Sequence, residues 1–281
     1  MKKKLQILAP WIVAVCFLAV ATAMAVNVYL HPGFRPQLHI VGDIAHPLTV
    51  DNLADLAQPL AARIDKQNYR AVPLTDIIAL TEPYAEIRRI LFIAEDGFSA
   101  QISGNSIEAS YLTFSAKSGW QAVNPLHPIS ANATRLTHMV LVVDENETDQ
   151  ALQIISGEST YRITPGALWA GPRLDYPFFE GTAEKDQNGL SYTSTVFTRR
   201  VAVSSEQLML PPQARLLLWT ANGQNLFTFS GEGIWQLSGN RIDYLQPETR
   251  LCLEDIRLIY IDPPDDYIGE LYAYADQILK D

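Results

Sequence analysis

Side chains able to do chemistry are sparse and scattered in this 281-residue chain. The five histidines, His31, His39, His46, His127 and His138, all fall in the first half. None shows the spacing of His-Glu-x-x-His, so they read as structural or solvated residues rather than metal ligands. His39 and Asp43 share one strand face if alternation holds, but a single pair specifies no reaction. His46 and His127 each precede a proline, which favours extended loop backbone. Of the two cysteines, Cys16 sits in an apolar N-terminal run. Cys252 sits in the alternating stretch Arg250-Leu251-Cys252-Leu253, where a buried core thiol is expected. One cysteine beyond the apolar run excludes an intramolecular disulfide and a multi-cysteine metal centre in the body. No nucleophile elbow, phosphate-gripping glycine loop or zinc spacing occurs, which weighs against hydrolase, NTPase and metalloprotease readings. The most basic stretch contains Arg63, Lys66, Arg70, Arg88 and Arg89; Arg63, Lys66 and Arg70 are candidates for an anion pocket, against the alternative of a solvated face. Trp120, Trp169, Trp219 and Trp235 fit core or cross-strand packing better than a carbohydrate platform.

Charge and hydropathy set the surroundings. Asp and Glu outnumber Lys and Arg by 31 to 21, and three of the cations are Lys2, Lys3 and Lys4. The body is therefore more acidic than the formal net charge of −10 states, and it repels nucleic-acid phosphates and anionic lipid. Residues 5–30 contain no charged side chain and are long enough to span a bilayer. With lysines on one flank, they are expected to anchor the chain in the cell membrane as a single pass, the rest lying outside the cytoplasm. Ala21-Thr22-Ala23 and Ala23-Met24-Ala25 would suit a signal peptidase, so secretion after cleavage is the alternative. Val15 occupies a position where lipobox patterns want a small residue, which weighs against lipidation of Cys16.

Beyond the linker at 31–36, landmarks recur in order. Leu48-Thr49-Val50-Asp51-Asn52-Leu53 is echoed by Ile163-Thr164-Pro165-Gly166-Ala167-Leu168. Ala71-Val72-Pro73-Leu74 is echoed by Ala202-Val203-Ser204-Ser205. Ser103-Gly104-Asn105 and Ser238-Gly239-Asn240 each read as a tight turn between alternating strands. Thr134-Arg135-Leu136 and Thr249-Arg250-Leu251 each precede an apolar strand. The pattern predicts a duplication, with an α+β fold of two tandem mixed-sheet domains. The expected divisions are 1–36 for lysines, anchor and linker, 37–146 and 147–264 for the copies, and 265–281 for an amphipathic C-terminal helix. Helical periodicity is otherwise confined to 53–60 and 74–80. Residues 144–149 read as a solvated acidic connector and residues 180–194 as a mobile polar loop.

Leu38-His39-Ile40-Val41-Gly42-Asp43-Ile44, Pro47-Leu48-Thr49, Tyr69-Arg70-Ala71-Val72-Pro73-Leu74 and Ala94-Glu95-Asp96-Gly97-Phe98 together resemble the oxidoreductase molybdopterin-binding domain, the sulfite-oxidase-like fold. The resemblance covers about 105 residues of the first copy and is fainter in the second. It implies a domain in which a cysteine between the first helix and the Val-Pro-Leu segment ligates molybdenum. Here that interval, residues 57–71, has no cysteine, nor has the matching region, residues 172–200, of the second copy. Ala71 also stands where the family usually has glycine. The expectation is therefore the scaffold without its cofactor: a noncatalytic extracytoplasmic binding or interaction module with no cofactor. An envelope oxidoreductase or electron-transfer accessory with an altered cofactor site is the alternative. A membrane or envelope protein is the expected partner and nucleic acid is not. The terminal helix supplies the expected contact residues Tyr267, Leu271, Tyr272 and Tyr274, aromatic area of the kind interfaces enrich.

Overall fold

The computed structural model describes residues 37–264 apart from 65–66, 116, 127–131, 186–190, 248 and 250, and apart from the side chains of 63–67 and 177–199. The expected membrane segment and the terminal helix, including Tyr267, Leu271, Tyr272 and Tyr274, lie outside the described residues. No helix among the described residues is long and apolar enough to cross a membrane. The described chain is mixed α+β, with sheets greatly predominating.

Its first half contains β1 (Leu38–Gly42), β2 (Leu48–Val50), β3 (Leu60–Ile64), β4 (Gln67–Pro73), α1 (Leu74–Thr81), β5 (Ile87–Ala94), β6 (Ser99–Ser103), β7 (Tyr111–Ser115), β8 (Gly119–Val123) and β9 (Leu136–Val143). The second half runs through β10 (Leu152–Ser156), β11 (Ser159–Ile163), α2 (Pro165–Ala170), β12 (Leu174–Lys185), β13 (Ser191–Val203), β14 (Arg215–Thr220), β15 (Asn225–Phe229), β16 (Ile234–Ser238), β17 (Arg241–Gln246), β18 (Leu251–Leu253) and β19 (Ile256–Ile261).

The two halves repeat one strand order. A five-stranded sheet β2-β1-β9-β5-β6 is matched by β11-β10-β19-β14-β15, and a sheet β3-β4-β7-β8 is matched by β12-β13-β16-β17, to which β18 is added. In each half the first strand lies parallel to the last, with His39 opposite His138 and Gln153 opposite Leu258. The likeness extends to irregularities. The register of β5 against β9 shifts between Ile93 and Ala94, and that of β14 against β19 between Trp219 and Thr220. Beside each shift a residue with positive φ, Arg135 or Asp255, accepts a hydrogen bond from the backbone N–H of Glu95 or Ala221.

This alignment corrects parts of the sequence reading. Ser103-Gly104-Asn105 is no hairpin: β6 ends there and a 3-10 turn, Gly104–Ala109, follows. The counterpart of the Ser238-Gly239-Asn240 hairpin is the β7–β8 connection, and the counterpart of Arg135 is Asp255, not Arg250. Small turn residues recur because turns require them, whatever their place in the fold. Residues 53–60 form only a 3-10 turn at Leu53–Asp55, closed by an Asn52–Asp55 capping box. Pro59 then disfavours helical backbone in the residue before it and the chain enters β3 extended. The expected loop at 180–194 instead prolongs β12 and β13 as a hairpin on either side of 186–190, in register from Leu174–Ala202 to Lys185–Ser191. Its threonines and Tyr192 favour strand.

The halves share a core. One face of the first five-stranded sheet, with Ile40, Phe92, Met139 and Leu141, closes a cluster made wholly of first-half residues. The opposite face, with Val41, Leu91, Ile93, Val140 and Val142, joins a cluster built mainly of second-half residues such as Leu168, Leu216, Trp235 and Ile259. Burial on both faces explains why β5 and β9 read as continuous apolar runs rather than alternating ones. The described residues from Gln37 to Pro264 accordingly form one compact unit.

At the end of β1, Gly42 holds φ 110, and a Cβ there would lie 2.3 Å from the Leu141 carbonyl oxygen. Gly97 holds φ 84 with nothing within 4 Å of an added Cβ. Gly42→Ala is expected to cost about 3–5 kcal/mol in urea unfolding and Gly97→Ala about 1 kcal/mol, since only the first adds a clash to backbone strain.

Candidate functional site

Where the two halves meet, a buried carboxylate ties them. Asp43, fully buried, accepts hydrogen bonds on Oδ2 from the Val143 N–H at 3.0 Å and the Thr164 hydroxyl at 2.8 Å. Oδ1 accepts from the Gly166 N–H at 2.7 Å. Gly166 is required at this approach: a Cβ there would stand 2.5 Å from both Asp43 Oδ2 and the Leu141 oxygen. Thr164 also caps α2 by accepting from the Ala167 N–H. Burial pushes the Asp43 carboxyl above its ordinary pKa, against the opposing pull of its three donors. His39 and Asp43 thus do not form one site, because the positive φ of Gly42 ends the strand alternation between them.

The β16–β17 turn latches onto the first half beside this carboxylate. The Gly239 carbonyl accepts from the Gly42 N–H at 3.1 Å and from Trp169 Nε1 at 3.0 Å. Asn240 Nδ2 donates to the Ile44 carbonyl at 2.8 Å and to the Tyr84 hydroxyl at 2.9 Å.

Above the latch opens a cleft of about 510 Å³, lined from the first half by His39, Thr49 and His138 and from the second by Trp169, Arg200, Gln236, Arg241, Asp243, Cys252 and Glu254. Parallel pairing of β1 and β9 sets His39 and His138 side by side with ring centroids 5.1 Å apart, and Trp169 on α2 lies against His138 at 5.0 Å, tilted by 36°. Nδ1 of His39 hydrogen-bonds the Thr49 hydroxyl and Nδ1 of His138 the Thr137 hydroxyl, each at 3.0 Å. Burial disfavours the charged form of both rings. The pKa of His138 is pushed down to about 3 by burial, with added repulsion from His39 and Arg173, and that of His39 is also lowered by burial.

The opposite wall is charged but internally matched. Arg241 Nε lies 3.1 Å from Asp243 Oδ1, and its NH2 group lies 3.0 Å from Glu254 Oε2. The same Asp243 oxygen accepts from the Asp255 N–H at 2.9 Å, and burial raises the Asp243 pKa. Arg200 donates to Gln236 Oε1 at 2.9 Å.

Of the basic residues expected to form an anion pocket, Arg70 is exposed on β4 and does not line this cleft. Lys66 and the side chain of Arg63 lie outside the described residues. The cations that the fold brings to a cleft are instead Arg200 and Arg241. They went unnoticed in the sequence because their meeting depends on pairing among β13, β16 and β17. The adjacency of His39 and His138 was equally hidden, since it requires parallel pairing of strands nearly a hundred residues apart. Trp120, Trp169, Trp219 and Trp235 are buried, as core packing demands. His46 is solvated beside Glu82 at 3.5 Å, and His31 and His127 lie outside the described residues.

Cys252 departs from expectation: on the short edge strand β18 it is exposed at the cleft rather than buried in the core. Partial desolvation and the nearby charges of Asp243 and Glu254 push its thiol pKa up, against the pull of Arg200 and Arg241. Cys252 lies on β18, outside residues 57–71 and 172–200, where the resemblance would put a metal-ligating cysteine. Among the described residues, no three His, Cys, Asp or Glu side chains gather as a metal site. No family model, curated protein or solved structure matches this chain.

Two outcomes follow from the geometry. Asp43→Asn is expected to destabilise the fold by about 1–3 kcal/mol, because an amide in that place turns an N–H towards one of the backbone donors. A folded-state pKa raised above the unfolded value means that wild-type stability falls as pH rises from about 4 through the folded pKa. Urea unfolding across that window should show the Asp43→Asn variant lacking this component. In a Cys16→Ser background, alkylation of native Cys252 at pH 7.5 is expected to run several-fold slower than that of an unfolded-chain thiol, despite its exposure. Mass-spectrometric labelling rates check this.

Proposed function

We propose that this chain is a noncatalytic extracytoplasmic binding module, built from two copies of a sulfite-oxidase-like scaffold that has lost its metal ligand, and that the cleft between the halves is its ligand site. The repeated strand order supports the duplication. The observation that carries the binding reading is the geometry of the cleft's charged wall, where Arg241 is bridged to Asp243 and Glu254 and Arg200 donates to Gln236. A general base works best with a pKa near ambient pH and a nucleophilic cysteine needs an accessible thiolate. His138 is far below that range, and the Cys252 thiol is shifted away from ionisation. Such a wall selects by shape, ring stacking and hydrogen bonding, and fits a small polar ligand without net charge. The apolar segment at 5–30 supports placement at a membrane, with an envelope protein as the natural recipient of a binding signal.

The full chain, freshly purified in mild detergent, tests this in two measurements. Elemental analysis is expected to find no stoichiometric molybdenum; finding it would restore the oxidoreductase reading. Native mass spectrometry is expected to show a retained small molecule, lost when Thr49→Trp fills the cleft mouth while the melting temperature stays within about 2 °C. Retention of the same molecule by Thr49→Trp would place the ligand elsewhere.

A further inference from the structure

A second concavity, sharing no lining residue with the cleft, lies at the start of β14. It encloses about 690 Å³ and is lined by Met209, Leu210, Pro211, Pro212, Ser230 and Gly231 among others. Its apolar rim is bare: Met209 is 50% exposed, and on the adjoining edge strand β15 Phe227 and Phe229 are 48% and 46% exposed. Met209 and Gln213 both hold positive φ, 55° and 59°, so the turn that presents this rim is built from strained backbone. An edge strand carrying two exposed aromatics next to an apolar groove is a surface that proteins ordinarily cover.

The end of the described chain runs to this groove. At the end of β19 the Asp262 N–H donates to the Arg215 carbonyl at 2.8 Å, the Arg215 N–H returns a bond to Asp262 Oδ1 at 2.9 Å, and the Arg215 guanidinium donates to the Pro263 carbonyl at 3.1 Å. Arg215 is paired in register with Phe229. Its neighbour Ala214 exchanges hydrogen bonds with Ser230, whose hydroxyl also donates to the Pro211 carbonyl. The chain therefore leaves the described fold directly beside the groove wall. Seventeen residues follow. In a helix they would reach about 25 Å and would place Ile268, Leu271, Tyr272, Ala275, Ile278 and Leu279 on one apolar face.

We propose that residues 265–281 dock as an amphipathic helix on their own chain, seating that face in the Met209–Pro212 groove and over Phe229. The proposal is independent of the cleft reading, and it makes the terminal segment an intramolecular cover, with Tyr267 and Tyr274 left at its margin.

The full chain carrying photoreactive benzoylphenylalanine in place of the exposed Phe229 tests this. Irradiation of an equal mixture of 15N-labelled and unlabelled chains is expected to give crosslinks from position 229 to residues 265–281, both ends carrying the same label. Mixed labels would show that a second copy covers the groove, a crosslink to another protein would show an external partner, and no crosslink to 265–281 would show that the segment lies elsewhere. Each of these overturns the proposal. In the crosslinker-free chain, Leu271→Asp combined with Ile278→Asp is expected to speed amide hydrogen exchange about tenfold at 205–213 and 225–231, leaving β1 and β9 unchanged. Unaltered exchange over those stretches also overturns it.

Discussion

The contact between Asp43 and the N-terminus of α2 constrains the rest of the molecule. It spans more than a hundred residues of sequence and fixes three things together: the end of β1, the end of β9 through the Val143 N–H, and the approach of the second half through Thr164 and Gly166. Three donors surround two carboxylate oxygens, so geometry is specified closely even though burial of the charge is itself costly. The Gly239 carbonyl and the Asn240 side chain repeat the same logic from the other sheet of the second half. Once these polar contacts are set, the face of Val41, Leu91 and Val140 meets the second-half cluster in one register.

That register creates the cleft. Its histidine wall comes from β1 and β9, its charged wall from β13, β16, β17 and the rim beside β18, and neither half contains both. The contact of Trp169 with His138, and the facing of the histidines by Arg241 with its Asp243 and Glu254 partners, are consequences of how the halves are joined. The cleft is thus assembled across a join, with Arg241 already bridged to Asp243 and Glu254.

Local chemistry was legible in the sequence and long-range pairing was not. The strand, turn and helix-start pattern at 48–53 and 163–168 could be read directly and falls at equivalent places in the two halves. Pro59 in the 53–60 run signalled the helix break that periodicity masked. The twin Ser-Gly-Asn turns misled because turn residues report backbone need, not position in a topology. Asp43 looked like an ordinary acidic residue after a glycine; nothing in its neighbourhood announces Thr164 and Gly166. Alternation points Cys252 to the core, but the strand that carries it is only three residues long and lies at a sheet edge.

The parallel pairing of first strand to last within each half has a consequence for synthesis. A chain emerging from its N-terminus cannot close the first five-stranded sheet until β9 appears, about a hundred residues after β1, and such late non-local closure is slow. When it does close, the sheet has only one finished face. Val41, Leu91, Ile93, Val140 and Val142 then remain bare until the second half, with its own late-arriving β19, is complete. The half-made protein is thus a sheet with an adhesive back, and its exposure time is set by the second half's rate of emergence rather than by its own stability.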